Sequence, residues 1–255
     1  RRLIIRLLST ALVFVICLVA VGVGALAATV KMRGGEWRMP AARDVEALVV
    51  VLDSEPKPAR TIYLEREAMT VSHGPDDASR SLSSLVAPGT SHTIPRYRAS
   101  NKNWKRLVAC VEDKFAGLDV RITDVEPSGH DHVVVKVGGR QRHIGKRGKA
   151  IGGIAPFNGD PLNNVIVYAF DQGGKYRTRT NCETIAHEVG HIYGLDHTYH
   201  CNDVMSYLQG CGKKNFLAKP MPCGEHEIRD CAASRAAQNS ADHLMAVLGP
   251  AREER

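Results

Sequence analysis

The spacing of apolar and polar positions along the chain predicts two helices. Apolar residues recur at three- and four-residue intervals through Trp104–Phe115, which is typical of one buried face of a helix. Ser100 or Asn101 is suited to cap the start of this helix, and Gly117 follows its end. A second helix, predicted from about Cys182, carries histidines and a glutamate among its apolar positions.

Short runs of apolar and β-branched residues predict strands before and between these helices. They are Thr61–Leu64, Asp119–Val125, His132–Val137 and Asn164–Phe170. Residues 72–100 contain many Gly, Pro, Ser and Asp residues and are predicted as a loop. The order of strand, helix, several strands and helix favours a mixed sheet with helices packed on it.

The amino terminus has the pattern of an export signal. Three arginines within the first six residues precede an uninterrupted apolar run from residue 7 to about residue 26, and Ala25–Ala27 supplies the small residues that a signal peptidase reads. The run is also nearly long enough to span a bilayer. Residues 1–27 are therefore predicted to be either a cleaved signal peptide or a membrane anchor. With cleavage we expect a secreted, periplasmic or extracellular protein, and without it a membrane-anchored one.

Residues 28–60 are predicted to be a linker or a short pro-segment, and residues 61–255 a single folded domain.

Composition and charge indicate what kind of core the chain has and which partners it lacks. The 255 residues are 44% hydrophobic but only 5% aromatic, so the core rests mainly on aliphatic side chains. The formal charge is +7, and removal of residues 1–27, which hold three arginines and no acid, leaves +4. So small a charge, spread over the chain, predicts no nucleic-acid partner.

The number of cysteines is consistent with an exported protein. Of the seven, Cys17 lies in the apolar run, and the six that follow are an even number, which predicts three disulfides in an exported protein. Six cysteines allow 15 connectivities, and the sequence does not choose among them. Cys201 and Cys211 are close enough in sequence to be a reasonable pair. A four-cysteine metal site is disfavoured because no C-x-x-C pair occurs.

The second helix carries the strongest chemical signal in the sequence. His187 and His191 are four residues apart, so a helix projects both imidazoles from one face, within reach of one metal ion. Glu188 adjoins the first of them and is placed to reach a metal-bound water without being a ligand. Gly194 offers a residue that ends the helix sharply, after which His197 can return as a third ligand. Three imidazoles and one open position describe a catalytic zinc site.

The sequence resembles the metzincin group of zinc endopeptidases, whose long signature has three histidines, a glutamate and a glycine at these offsets. The group also has a methionine turn beneath the metal, and Met205 is the matching candidate. In the astacin-like and serralysin-like branches a tyrosine two residues beyond that methionine approaches the zinc, and Tyr207 stands at this offset. The resemblance implies an α+β catalytic domain with a twisted mixed sheet, two long helices, a zinc cleft and a C-terminal helical subdomain.

The pattern departs from each well-known branch of the group, so no branch is assigned. Gly-rich calcium repeats of the serralysin kind are absent, and no cysteine occurs between residues 28 and 109 to form a matrixin-like latch. Thr198, which follows the third histidine, matches none of the best-known branches. The archaeal branch has a cysteine directly after that histidine, whereas Cys201 comes four residues after it.

The activity implied by the resemblance is hydrolysis of peptide bonds in a peptide or protein substrate. With Zn²⁺ as cofactor, Glu188 is the expected general base and Tyr207 a group that helps to stabilise the oxyanion. The Gly-rich run Ala150–Phe157 is the candidate edge strand against which an extended substrate pairs. The alternative function is a non-catalytic, zinc-stabilised binding module on the same fold. The presence of Glu188 favours the enzyme, since a degenerate relative is expected to have lost its base.

Two further sets of residues are predicted to have no part in metal binding, catalysis or nucleic-acid binding. Eight histidines have no recognisable ligand motif and are expected to be surface or hydrogen-bonding residues: His73, His92, His130, His132, His143, His200, His226 and His243. The basic stretch through residues 140–149 is expected to be a solvated loop, because no aromatic residues are interleaved for base stacking.

Overall fold

Helices and strands were assigned in a computed structural model that describes residues 60–252 except 90, 130, 149, 175 and 176. The predicted export signal, and the predicted linker apart from its last residue Arg60, lie outside the described residues. The α-helices among them are α1 (Asn101–Lys114), α2 (Arg177–Ile192) and α3 (Ser240–Leu248). The strands are β1 (Arg60–Glu65), β2 (Met69–His73), β3 (Leu82–Ser83), β4 (His92–Ile94), β5 (Val120–Thr123), β6 (His132–Val137), β7 (Gly153–Ile154) and β8 (Ile166–Ala169).

Five strands form the main sheet, in the order β5-β1-β6-β8-β7. All neighbours are parallel except β7, which pairs antiparallel with β8 at one edge. The sheet is therefore mixed, as the sequence predicts. The central strand β6 has the predicted bounds, and every residue in it is buried. The predicted edge segment Ala150–Phe157 contains β7, so part of it does lie at the edge of the sheet.

The loop predicted for residues 72–100 is wrong in part, because this region contributes to a second, three-stranded sheet. Its order is β3-β2-β4, with β2 parallel to β3 and antiparallel to β4. The strands have only two to five residues each, too few for alternation of apolar and polar positions to reveal them. Burial of Val71 and Ile94 against the main sheet holds them in place.

Helix α1 forms where the sequence predicts it. The hydroxyl of Ser100 accepts a hydrogen bond from the backbone N–H of Asn103 at 3.3 Å, so Ser100 is the N-cap. Trp104, Leu107 and Val111 form the buried face that packs on α2 and the sheet.

Helix α2 begins five residues earlier than the predicted start at Cys182. A start at Cys182 would leave Asn181 before the helix, but Asn181 lies inside it and its side chain makes tertiary contacts. The amide oxygen accepts from the N–H of Gln172 at 3.1 Å, and the amide nitrogen donates to the hydroxyl of Tyr97 at 3.0 Å. Asn181 is thus a buried residue inside the helix. The helix ends as predicted, with Gly194 just beyond it at φ +87°.

Alternate side chains of the main sheet face two apolar clusters. One face, including Ile62 and Val135, packs on the three helices, and the other, including Tyr63 and Ile166, packs on the small sheet. A disulfide between Cys110 and Cys182 links α1 to α2 within the first cluster. This disulfide therefore ties together the two helices that cover the sheet.

The chain between α2 and α3 is largely irregular, so one nine-residue helix represents the predicted C-terminal helical subdomain. Two disulfides stabilise this region, Cys201–Cys211 and Cys223–Cys231. All six cysteines after the apolar run are paired, as the sequence predicts, and Cys201–Cys211 is the expected pair. The three bridges indicate an oxidising, extracellular type of environment.

Helices and sheets together give a mixed α and β architecture that is compatible with the predicted α+β class. Within the ranges described above, no helix combines the length and the apolar character needed to cross a bilayer.

Candidate metal centre

Three imidazole rings converge at the end of α2. His187 and His191 project from one face of the helix, and His197 follows the turn at Gly194. The Nε2 atom of His191 lies 3.1 Å from that of His187 and 2.9 Å from that of His197. The structure therefore brings the three predicted ligands together, and this group could hold a metal ion.

Backbone carbonyls orient the two helical histidines. Nδ1 of His187 donates to the carbonyl of Val204 at 2.9 Å, and Nδ1 of His191 donates to the carbonyl of Leu195 at 2.8 Å. A proton on Nδ1 leaves the lone pair of each Nε2 directed toward the other rings. The hydrogen bonds thus select the tautomer that a metal ligand requires.

Burial keeps these two rings neutral. It lowers the pKa of His191 to about 4, with a further contribution from His197, and it lowers the pKa of His187 well below its ordinary value. Converging lone pairs of neutral imidazoles repel one another unless a cation stands between them. The arrangement therefore fits a divalent metal ion bound by nitrogen.

The third ring is held by a carboxylate that the sequence analysis did not single out. Nδ1 of His197 donates to Oε1 of Glu225 at 2.5 Å. A guanidinium nitrogen of Arg229 donates to the same oxygen at 2.7 Å. Hydrogen bonds from Arg229, outweighing the effect of burial, and from His197 lower the pKa of Glu225 to about 2, so its carboxylate is charged at any ordinary pH.

Arg229 also joins Glu225 to a second carboxylate, that of Asp196. It donates to the two oxygens of Asp196 at 2.6 and 2.8 Å. Asp196 in turn accepts from the backbone N–H of His197 at 2.7 Å. Burial raises the pKa of Asp196, but these hydrogen bonds, the Arg229 contacts first, outweigh it and lower the pKa overall. The network therefore fixes both the side chain and the backbone of the third histidine.

Asp196, His197 and Glu225 also lie close enough together to form a second possible metal-binding group. The guanidinium of Arg229 is already paired with both carboxylates, and Nδ1 of His197 is engaged by Glu225. This second group is thus a support for His197, and the three converging Nε2 atoms are the candidate metal site.

Glu188 is buried beside these rings, and strand β7 packs closely against it. A Cβ atom at Gly153 would lie 2.6 Å from both Cγ and Oε1 of Glu188, so the absence of a side chain at Gly153 makes room for the carboxyl. Burial raises the pKa of Glu188 to about 8. A carboxyl whose pKa lies near neutrality is able both to take up and to release a proton, as general acid–base catalysis requires.

The predicted methionine turn lies under the ligands. Met205 is fully buried, and a Cβ at Gly190 of α2 would lie 2.5 Å from its sulfur. Asp203 organises the turn: it accepts from the N–H of Met205 at 2.9 Å, from the hydroxyl of Thr198 at 3.0 Å and from that of Ser240 at 3.1 Å. The sequence reveals the methionine but not this role of the aspartate.

Tyr207 stands beside the ligands and not in the core. Its ring is 45% exposed and its centroid lies 4.3 Å from that of His197 and 5.6 Å from that of His187. Burial of the inner part of the ring, and then the nearby Glu188 and Glu225, raise the pKa of Tyr207. The hydroxyl therefore keeps its proton and is available as a donor.

Several of the remaining histidines are hydrogen-bonded away from the site, as the sequence predicts. His73 contacts the carbonyl of Val86, and His243 contacts the carbonyl of Tyr193, each at 2.8 Å. His130 lies outside the described residues.

Sequence reasoning missed three residues that hold His197, namely Asp196, Glu225 and Arg229, and the sequence contains a signal for two of them. Glu225 and Arg229 both lie between Cys223 and Cys231, so the pairing of those cysteines would have placed them on one closed loop. The chemistry of the site has to be inferred from its own residues, since no protein-family model matches this chain and the comparison with curated proteins gives no matching sequence.

Proposed function

We propose that this chain is an exported zinc-dependent endopeptidase of the metzincin group, with the catalytic-domain fold of that group. The observation that carries the proposal is the convergence of three Nε2 atoms beside the buried carboxyl of Glu188. Three neutral imidazoles suit zinc, and three protein ligands leave one position open, as in catalytic zinc sites.

A bound zinc ion would supply Lewis acidity, lowering the pKa of a water molecule toward ~7 and polarising the carbonyl of the scissile bond. The chain's own residues then have separate tasks. Glu188 accepts the proton of the attacking water on its carboxylate and delivers it to the leaving amine. Tyr207, whose ring lies against His197, donates its hydroxyl to the oxygen on which negative charge develops.

Strand β7 supports the substrate part of the proposal. It is the edge of the main sheet and packs against Glu188 through Gly153. An extended peptide that adds to this edge would run past the carboxyl of the base. The site therefore suits an extended polypeptide as the substrate.

The alternative, a zinc-stabilised binding module without catalysis, makes a different experimental prediction. The protein should be purified after secretion and incubated with a denatured, fluorescence-quenched protein mixture. The enzyme is expected to release fluorescence, to lose this activity on removal of zinc by a chelator, and to regain it when zinc is restored. A binding module would retain zinc and cleave nothing.

Two variants sharpen the experiment. Glu188→Gln is nearly isosteric but cannot accept a proton, and it is expected to keep zinc and lose ~10²–10⁴-fold in activity or more. Glu112→Gln, at an exposed position of α1, is the matched control and is expected to remain fully active. Wild-type activity in Glu188→Gln with zinc bound would refute the proposed mechanism.

A further inference from the structure

A basic surface adjoins strand β7 on the side from which the chain enters it. It consists of Arg140, Arg142, Lys146 and Arg147, and we refer to these four residues as the basic rim. They line a pocket of about 550 Å³, three of them exposed and Lys146 partly buried.

The basic rim has no compensating acid within the part of the chain that the structure describes. None of its four cations forms an ion pair within 4.0 Å there. The acidic residue that lines the same pocket, Asp171, is bound by Arg177 through two hydrogen bonds. The rim therefore presents four positive charges that remain available to a ligand.

The pocket is continuous with the edge strand at the candidate site. Its lining includes Ile151 and Gln172, and the side-chain amide of Gln172 donates to the carbonyl of Gly152 at 3.0 Å. The next residue, Gly153, packs against Glu188. A peptide that pairs along β7 would therefore extend from the carboxyl of Glu188 toward the basic rim.

We propose that the basic rim is a specificity surface that recognises acidic side chains of the peptide substrate on one side of the scissile bond. The inference rests on the proposed function, and it names the substrate class as peptides with clustered Asp or Glu residues. Charge complementarity supports this occupant, because four cations without acidic partners attract carboxylates.

A single-stranded nucleic acid is a less suitable occupant. Stacking of bases needs exposed aromatic rings, whereas the aromatic residue in the lining, Phe170, is buried. An oligonucleotide is nevertheless a useful competitor in the test.

The experiment compares two peptides of equal length that differ only in three Asp residues replaced by Asn. It is performed with the acidic cluster on either side of the scissile bond. The wild-type protein is expected to prefer the acidic peptide on one side by about tenfold in kcat/KM at low salt, and to lose most of the preference at high salt, since exposed ion pairs are individually weak and screened.

Charge-neutralising variants link this preference to the basic rim. Arg140→Gln/Arg142→Gln/Arg147→Gln is expected to abolish the preference while cleaving the neutral peptide at the wild-type rate. The matched control, Lys102→Gln/Lys105→Gln/Arg106→Gln, removes three exposed cations from α1 and is expected to leave the preference intact. Melting temperatures of both triple variants should equal that of the wild type.

A binding measurement separates this inference from the proposed function. Fluorescence anisotropy with the Glu188→Gln protein reports the affinity for labelled acidic and neutral peptides without any cleavage. Tighter binding of the acidic peptide, dependent on the basic rim, would support the surface even if no peptide is hydrolysed. Equal affinity for the two peptides, a preference that survives the rim variant, or tighter binding of a single-stranded oligonucleotide of equal charge would overturn it.

Discussion

The carboxylate of Glu225 lies 2.5 Å from Nδ1 of His197, although 28 residues separate them in the chain. This contact gives the third candidate ligand a charged hydrogen-bond acceptor, whereas His187 and His191 donate to neutral carbonyls. A carboxylate partner raises the basicity of an imidazole and fixes its orientation. His197 is therefore the ligand whose strength depends most on a residue outside the signature.

Replacement of Glu225 tests this dependence. Glu225→Gln is expected to lower zinc affinity by about 10–100-fold, the usual effect of losing such a support, because the amide cannot stabilise positive charge on His197. Competition with a chromogenic chelator measures the affinity directly. Glu227→Gln lies on the same loop at an exposed position and serves as the control. Equal zinc affinities of the Glu225→Gln and Glu227→Gln variants would show that the contact between Glu225 and His197 does not affect metal binding.

Removal of the third imidazole should have a larger effect. His197→Ala leaves two nitrogen ligands, which hold zinc poorly, so the purified variant is expected to contain little metal. His226→Ala, which removes an exposed imidazole nearby in the sequence, is expected to contain one zinc per chain. Elemental analysis measures the zinc content of both variants, and full zinc content in His197→Ala would exclude this residue as a ligand.

Tyr207→Phe tests whether the Tyr207 hydroxyl, which lies beside the candidate metal ligands, takes part in catalysis. The ring contacts with His197 and His187 should persist, while the hydrogen bond to the developing oxyanion is lost. A decrease in kcat of roughly ten- to a thousandfold is expected, with little change in KM. Tyr199→Phe controls for the loss of a tyrosine hydroxyl elsewhere. If kcat stays within about twofold of wild type, Tyr207 has no part in the chemistry.

Gly153→Ala should disturb the general base without touching a ligand. The added Cβ would lie 2.6 Å from Glu188 and from the backbone oxygen of Tyr168, so the carboxyl or the strand has to move. We expect activity to fall at least about tenfold while zinc content is unchanged. Gly152→Ala is a close control, because its Cβ would meet only side-chain atoms at wider distances, the amide nitrogen of Gln172 at 3.3 Å and the hydroxyl of Thr184 at 3.4 Å. Equal activity in both variants would contradict the packing described for β7.

Lys136 makes the stability of the fold depend on pH. Its side chain is fully buried in β6, its Nζ donates to the carbonyl of Val137 at 2.9 Å, and burial lowers its pKa from 10.5 to about 8. Between about pH 8 and 10 the unfolded chain binds more protons at this site than the folded chain. The free energy of unfolding is therefore expected to rise with pH across that interval, by up to about 3 kcal/mol from this group.

Denaturant titrations at several pH values test the role of Lys136. Lys136→Met removes the titrating group, so its unfolding free energy should rise less with pH than that of the wild type. Lys105→Met, at an exposed position of α1, should retain the full dependence. Parallel pH profiles for Lys136→Met and the wild type would be inconsistent with a buried amine of lowered pKa.

Short-range patterns in the sequence were sufficient to predict the helices and strands that bury one continuous face. The periodicity through Trp104–Phe115 gives α1, and the apolar run of β6 gives that strand with its bounds. The convergence of His187, His191 and His197 was also predictable, because they lie within eleven residues on a helix and the turn that follows it. In each case the interaction that decides the structure lies close in sequence.

The features that escaped prediction depend on distant contacts. Asn181 was expected before α2, but its amide is used by Gln172 and Tyr97, so the helix starts earlier. Glu225 reaches His197 from a loop that the Cys223–Cys231 disulfide closes and that a backbone hydrogen bond from Gly224 joins to His197. Neither contact has a periodic or a compositional signature, and both become visible only when the chain is folded.

The position of the Cys223–Cys231 bridge has a consequence for the order in which the protein matures. The loop that it closes carries both Glu225 and Arg229, and these are the groups that hold His197 in place. While the two thiols are reduced, the loop is not closed and the third imidazole lacks a fixed partner. For the proposed exported zinc enzyme we therefore expect oxidation to precede tight metal loading, so that the hydrolytic centre would be completed only after the chain has left the reducing compartment in which it is made.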